Sequence, residues 1–167
     1  MSIAYEVRRA TRNDVPAILH IYNEAVRNTT ASLDYEPQSL ALRMRWFDDH
    51  QHTGHPIFVA YNTRNRVIGW SALNKFRERP GYRFTAEDAI YIDASYRGKG
   101  IGKALMSPLI DAACAMQLHT IIAAIDASNV PSIRLHRAFG FEQVACLKHI
   151  GYKFDRWLDV VYLQLLL

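Results

Sequence analysis

The sequence predicts a single α/β (α+β) domain, on three observations. Segments of strand and helix character follow one another along the whole chain in the order β-α-α-β-β-β-α-β-α-β-β. The 167 residues suffice for one sizeable core and leave little room for a second. At the centre, Glu87 to Leu105 reads as a strand, a glycine-rich loop and a helix in immediate succession.

Each element has a local cause. Ile3 to Arg9 has the character of a first strand. Thr11 to Asp14 supplies cap residues, Pro16 suits a first helical turn, and Val15, Ile18, Leu19, Tyr22 and Val26 repeat at helical spacing. Thr29 to Pro37 reads as a loop. A second amphipathic helix is expected from about Gln38 to Asp48, with Leu40, Met44 and Phe47 on one side and Gly54 and Pro56 ending it. Ile57 to Tyr61 and Val67 to Leu73 flank a polar turn, Asn62 to Arg66, and so form a β-hairpin. Lys75 to Arg83 is irregular and basic, with a turn at Pro80-Gly81. Beyond the glycine loop a helix runs through Met106, Leu109, Ile110 and Ala113 to about Gln117, with a kink expected at Pro108. His119 to Asp126 is a buried strand. Ser128-Asn129 caps a further helix that carries Pro131 in its first turn and stops at Gly140. Phe141 to Leu167 is β-rich, with a turn expected near Gly151.

Composition narrows the function. Half the residues are hydrophobic and 22% are charged, an ordinary globular balance. No apolar run is long enough to cross a bilayer, and Met1 to Glu6 lacks the apolar core of a signal peptide. A soluble cytoplasmic protein is therefore expected, with no membrane partner. Cys114, on an apolar helical face, and Cys146 are expected to be reduced structural residues, and no metal cluster is expected. The net charge of +4 suits an anionic small molecule better than a nucleic acid.

The glycine loop carries the chemistry. Ala89 to Ile92 has strand character, and Gly98, Gly100 and Gly102 then stand at alternate positions. Glycine admits positive φ and close approach of a ligand to the backbone. The helix that follows presents its first unpaired N–H groups to the loop, and its dipole favours an anion there. Arg97, Lys99 and Lys103 add positive charge, so a phosphate or pyrophosphate is the natural guest. A P-loop is excluded, because Gly102-Lys103 is preceded at the required spacing by Arg97 and followed by Ala104. A dinucleotide fingerprint fails as well: counted from Gly98 its last glycine would be Lys103, and from Gly100 it would be Leu105.

What remains, Arg97-x-x-Gly100-x-Gly102 directly after a strand, resembles the acetyl-CoA pyrophosphate loop of the GNAT N-acetyltransferase superfamily. The order of elements matches that fold along the whole chain. The resemblance implies a mixed, mostly antiparallel sheet with helices on both faces. It also implies two central parallel strands, at Ile90 and Ile121, that splay apart to admit the cofactor. Further segments narrow it: Tyr22 to Val26 before a Thr-rich loop, Glu87 ahead of Ile90-Tyr91-Ile92, and Asn129 to His136 before Phe139-Gly140-Phe141. The tail adds Gly151-Tyr152-Lys153-Phe154 and Arg156-Trp157-Leu158-Asp159. Together they are similar to the phosphinothricin and methionine sulfone acetyltransferase family. That resemblance implies acetyl transfer from acetyl-CoA to the α-amino group of a small amino acid, no metal, and a homodimer.

The resemblance also implies roles. Gly98, Lys99, Gly100, Ile101, Gly102 and Lys103 would donate backbone N–H groups to the pyrophosphate. Ile90, Tyr91 and Ile92 would meet the pantetheine arm by backbone pairing, their side chains remaining core. Asn129 and Ser132 would contact the same arm, cap a helix, or do both. Glu87 would take the proton of the acceptor ammonium, directly or through water, unless it is an ordinary exposed carboxylate. Asp88 is a poorer candidate, since its side chain points to the opposite face. His136 stands where many GNAT enzymes have a tyrosine, and is either the acid for the leaving thiolate or a packing residue. Lys75, Phe76 and Arg77 match a substrate loop, an arginine fork suiting an acceptor oxyanion, or else form a solvated basic turn. Thr85 and Ala86 would complete that wall, with Tyr35 a weaker candidate. The competing functions are acetylation of another small amine or a peptide N-terminus, and a non-catalytic acetyl-CoA-binding regulatory module.

Overall fold

The computed structural model describes residues 4–167, so Ile3 of the expected first strand lies outside the described residues. In chain order the elements are β1 (Tyr5–Arg9), α1 (Val15–Asn28), α2 (Leu40–Thr53), β2 (Ile57–Asn62), β3 (Val67–Lys75) and β4 (Thr85–Ile92). Then come α3 (Ile101–Ala115), β5 (Thr120–Asp126), α4 (Val130–Arg137), β6 (Glu142–Lys153) and β7 (Arg156–Leu166). The seven strands form one sheet in the order β1-β2-β3-β4-β5-β7-β6. Only β4 and β5 run parallel; every other neighbour is antiparallel.

The central strands are buried on both faces, so they read as continuous apolar runs while their side chains alternate between two cores. Phe58, Ala60, Ile68 and Leu73 face Ile101, Leu105, Met106 and Leu109 of α3. Ile57, Val59, Trp70 and Ala72 face Val15, Ile18 and Ile21 of α1 and Phe47 of α2. Each core buries enough apolar area to hold its helices to the sheet.

Three local expectations need correction. Helix α2 starts and ends later than its apolar spacing implied: Ser39 Oγ accepts from the Leu42 amide (3.2 Å), and left-handed Gly54 stops it. Gly151 lies inside β6, opposite Leu158. The hairpin turns instead at Phe154-Asp155, both at positive φ, a conformation unusual enough outside glycine to escape a composition-based reading. Cys114 is exposed rather than set in the apolar face of α3, and both cysteines are free thiols. Pro108, where a kink is expected, lies inside the continuous helix α3. The Ser71 hydroxyl donates to the Leu105 carbonyl (3.2 Å), beside the Ala104 carbonyl that Pro108 deprives of its donor.

Candidate active site

The pairing of β4 with β5 lasts three residues, Thr85–Glu87 against Thr120–Ile122, and then stops. Beyond it β4 continues to Ile92 paired only with β3, and β5 continues to Asp126 paired only with β7. The sheet therefore splits, leaving the β5-facing edge of β4 without a strand partner. A cavity of about 860 Å³ lies along the split and is lined by residues from both faces of the sheet. That volume lies in the range of small-molecule sites.

The glycine loop follows the unpaired end of β4. Gly98 and Gly100 have φ of 73° and 83°, values that a side chain disfavours. Gly100 is also the N-terminal cap of α3, and no side chain caps that end. Among the described residues, none of the amides from Gly98 to Lys103 donates to another backbone group; the first bond of the helix is Ala104 N–H to the Gly100 carbonyl. A row of free donors at a helix N-terminus fits a pyrophosphate. Arg97 is held across the mouth of the loop, donating to the Ile92 carbonyl (3.2 Å) and to Glu24 (3.0 Å).

On the α3/α4 side of the split, Asn129 caps α4 by accepting from the Ser132 amide (3.3 Å), and both residues line the cavity. His136, one turn on, is 4% exposed. Its Nδ1 lies 2.7 Å from the Ser132 carbonyl and its Nε2 lies 2.8 Å from an Asp88 carboxylate that is itself almost fully buried. Burial alone would lower the His136 pKa, but the Asp88 hydrogen bond and charge outweigh it and raise the value above the ordinary one. Both ring nitrogens are thus occupied as donors.

On the α1/α2 side, Glu87 lines the cavity opposite Asn74 of β3. Burial, then the charge of Asp88, pushes its carboxyl pKa up, with Arg77 opposing. Glu87 and Asp88 therefore serve opposite faces of one strand, as strand alternation requires. Tyr91 stacks on Trp70 at 4.9 Å and donates to the Ala31 carbonyl (3.1 Å), while Ile90 and Ile92 pack into the α3 core.

A loop between α1 and α2 closes this side. Its ties come from distant parts of the chain. Tyr22 donates to Asp34 (2.7 Å), Asn23 exchanges two bonds with the Gln38 backbone, and Thr30 bonds Asp126. From the tail, the Lys153 ammonium donates to the Thr29 (2.9 Å) and Ser32 (2.6 Å) carbonyls. A Cβ at Gly151 would meet the Leu33 side chain at 3.1 Å, a tight contact that glycine avoids. The Gly-Tyr-Lys-Phe segment is thus a clasp on the loop between α1 and α2. Tyr35 belongs to the clasp and not to the cavity wall: it is exposed and donates to the Tyr152 carbonyl (2.6 Å).

The expected substrate residues are only partly brought together. Of Lys75, Phe76, Arg77, Thr85, Ala86 and Glu87, the cavity is lined by Glu87 alone. Lys75 pairs with Glu78 (2.6 Å), Arg77 folds back on the Phe76 carbonyl and ring, and Ala86 is fully buried in the core. In their place the cavity has Arg43 and Trp46 of α2, Tyr22 of α1 and Trp70 of β3, none of them assigned a site role from the sequence. A signal existed. Arg43, Phe47 and His50 are the buried positions of α2 and share one helical stripe.

A split between parallel strands, with a row of unpaired amides at a helix N-terminus beyond it, suits a ligand that carries phosphates. The sequence profile of the Acetyltransferase (GNAT) family matches residues 16–141. The chain therefore belongs to the GNAT family and is an acyl-transfer enzyme. It is 43% identical to the L-methionine sulfoximine/L-methionine sulfone acetyltransferase of Pseudomonas aeruginosa over 95% of this chain and 92% of that protein. It is 32% identical to the phosphinothricin N-acetyltransferase of Streptomyces coelicolor over 95% and 94%. A crystal structure of a phosphinothricin acetyltransferase from Sinorhizobium meliloti in complex with acetyl-CoA superposes with a TM-score of 0.95. That protein is 40% identical, the match covering 100% of this chain and 89% of that one.

Proposed function

We propose that this enzyme transfers the acetyl group of acetyl-CoA to the α-amino group of a small amino acid or analogue of the methionine sulfone, methionine sulfoximine or phosphinothricin type, by direct attack. The observation that supports the reading is the split in the sheet: one cavity is lined by Glu87, by the unpaired stretch of β4 at Ile90 and Tyr91, and by Asn129 and Ser132, and the strand β4 leads on to the loop with the free amides. The relatives' substrates support the choice of acceptor.

Gly98 to Lys103 hold the pyrophosphate, and the free edge of β4 at Ile90, Tyr91 and Ile92 pairs with the pantetheine arm, Asn129 and Ser132 standing opposite. When bound, acetyl-CoA supplies an activated acyl group and a thiol leaving group. Glu87 accepts the ammonium proton, directly or through water, and its raised pKa makes it a better base than a solvated carboxylate. The Ile92 N–H would donate to the thioester carbonyl oxygen: the Asp93 amide donates to Ile68 of β3, so strand alternation turns the Ile92 N–H to the free edge and the Tyr91 N–H to β3. The occupied nitrogens of His136 support its packing role over that of the acid, since donation to sulfur would require release of Asp88. Arg77 reaches the acceptor only if the Lys75 to Arg77 turn folds inward.

We also propose a homodimer in the cytoplasm. The exposed side chains of Val144, Ile150, Phe154 and Trp157 on the β6–β7 hairpin give it an apolar surface for a second copy. Sedimentation equilibrium at a dimer mass supports this, and a monomer at micromolar concentration contradicts it.

The test is thiol release from acetyl-CoA with a panel of amino acids, amines and peptides. Turnover is expected for methionine sulfone, methionine sulfoximine or phosphinothricin. No release with any member of the panel overturns the reading.

A further inference from the structure

Arg43 is a buried cation in no ion pair, and the Asp34 carboxylate acts on it only from beyond ion-pair distance. It is 3% exposed, and its Nε has no hydrogen-bond partner. Every ion pair among the described residues uses some other cation. The guanidinium sits in an aromatic cage, its central carbon 4.1 Å from the Tyr22 ring, 4.7 Å from Trp46 and 5.6 Å from Trp70. The cage attracts a cation but accepts no strong N–H bond from its fork. Asp34, which also lines the cavity, is already engaged by the Tyr22 hydroxyl (2.7 Å) and the Gln38 amide (3.0 Å). A buried charge left in this state is costly, and an anion entering the cavity removes the cost.

The position of the cage says which anion. Trp46 Nε1 donates to Asn74 Oδ1 (3.3 Å), and Asn74 is the strand partner of Glu87 and donates to its carbonyl (3.4 Å). Arg43 and Glu87 thus share the α1/α2 side of the cavity, joined through Trp46 and Asn74. A ligand that offers an amine to Glu87 and a full negative charge to Arg43 is an α-amino acid. A sulfone is neutral, so the charge common to the proposed acceptors is the α-carboxylate.

We infer that Arg43 is the carboxylate anchor of the acceptor site, a specificity-determining residue that selects α-amino acids over plain amines. The inference rests on the proposed acceptor class and adds the group that recognises it. Guanidinium forks bind carboxylates by two parallel N–H bonds, and the apolar cage strengthens them by excluding water.

Steady-state rates for methionine sulfone and for its decarboxylated amine, at saturating acetyl-CoA, test it in wild type and Arg43→Met. The variant is expected to lose about 100-fold in kcat/KM on the amino acid, mostly through KM. Its rate on the decarboxylated amine and its KM for acetyl-CoA stay within about twofold of wild type. Arg43→Lys keeps the charge without the fork and recovers part of the loss. An equal loss on both acceptors, or none on the amino acid, overturns the inference. So does failure of wild type to prefer the amino acid over the amine. A second arm uses wild type alone and does not depend on the variant folding. The des-amino acid, 4-(methylsulfonyl)butanoate, should compete with the acceptor, whereas its carboxamide should not; equal potency contradicts the assignment. Turnover of the amino acid that is indifferent to Arg43 would sink this inference and leave the proposed reaction standing.

Discussion

The two sides of the split sheet are built in different ways. The side proposed for the donor is made of backbone: consecutive amides from Gly98 to Lys103, two glycines at positive φ, and the bare edge of β4. The side proposed for the acceptor is made of side chains from α1, α2, β3 and β4, under a loop clasped by the tail. A backbone site is specified by one short contiguous stretch and serves any protein that binds the same cofactor. A side-chain site must be assembled by the whole fold, and so it is where specificity is set.

Substitutions should therefore separate the two sides. The largest effect is expected for Glu87→Gln, a loss of about 100- to 1000-fold in kcat with acetyl-CoA binding retained. In wild type the rate should rise with pH as Glu87 deprotonates, at a pH above the ordinary carboxylate range because its pKa is raised. That limb should vanish in the variant; an unchanged pH profile would remove Glu87 as the base.

Gly100→Val strains a backbone at φ 83° and should raise the KM for acetyl-CoA about tenfold, with the acceptor KM unchanged. A rise confined to the acceptor KM would reverse the assignment of the two sides. Lys153→Met frees two carbonyls of the acceptor loop and should cost about 1–3 kcal/mol of stability. Its kinetic effect should fall on the acceptor KM only, as steady-state titration of each substrate would show.

The buried His136–Asp88 pair gives an effect on stability alone, and the most pH-dependent one. The folded state raises the His136 pKa, so the pair's stabilisation is complete below the ordinary histidine value of 6.5 and is lost as pH rises through the higher folded value. Asp88→Asn should therefore lower the urea unfolding free energy by about 3 kcal/mol at pH 6 and by less at pH 9. A difference independent of pH would contradict the charged pair.

The same contrast explains what could be read from the sequence. The order of elements, the two hydrophobic faces and the strand–loop–helix succession around the glycines were all legible, because each depends on spacing within a few consecutive residues. Glu87, singled out ahead of Ile90-Tyr91-Ile92 by the family resemblance, does line the cavity. Arg43 was not: in a helix of mixed polarity an arginine reads as a solvated cation, and only the packing of α2 against Trp70 turns it inward. The clasp was hidden for another reason. With a turn assigned to Gly151, Lys153 fell in the wrong strand, and the positive-φ pair Phe154-Asp155 gives no compositional warning. Lys75 to Arg77 show the converse, a basic run that the fold leaves outside the cavity.

The donor site is the claim on which the rest stands. Amide NMR spectra of the enzyme titrated with coenzyme A test it directly. The largest shifts should fall on Gly98 to Lys103, with smaller ones at Ile90 to Ile92. Silent amides across that loop, with the shifts concentrated elsewhere, would contradict it.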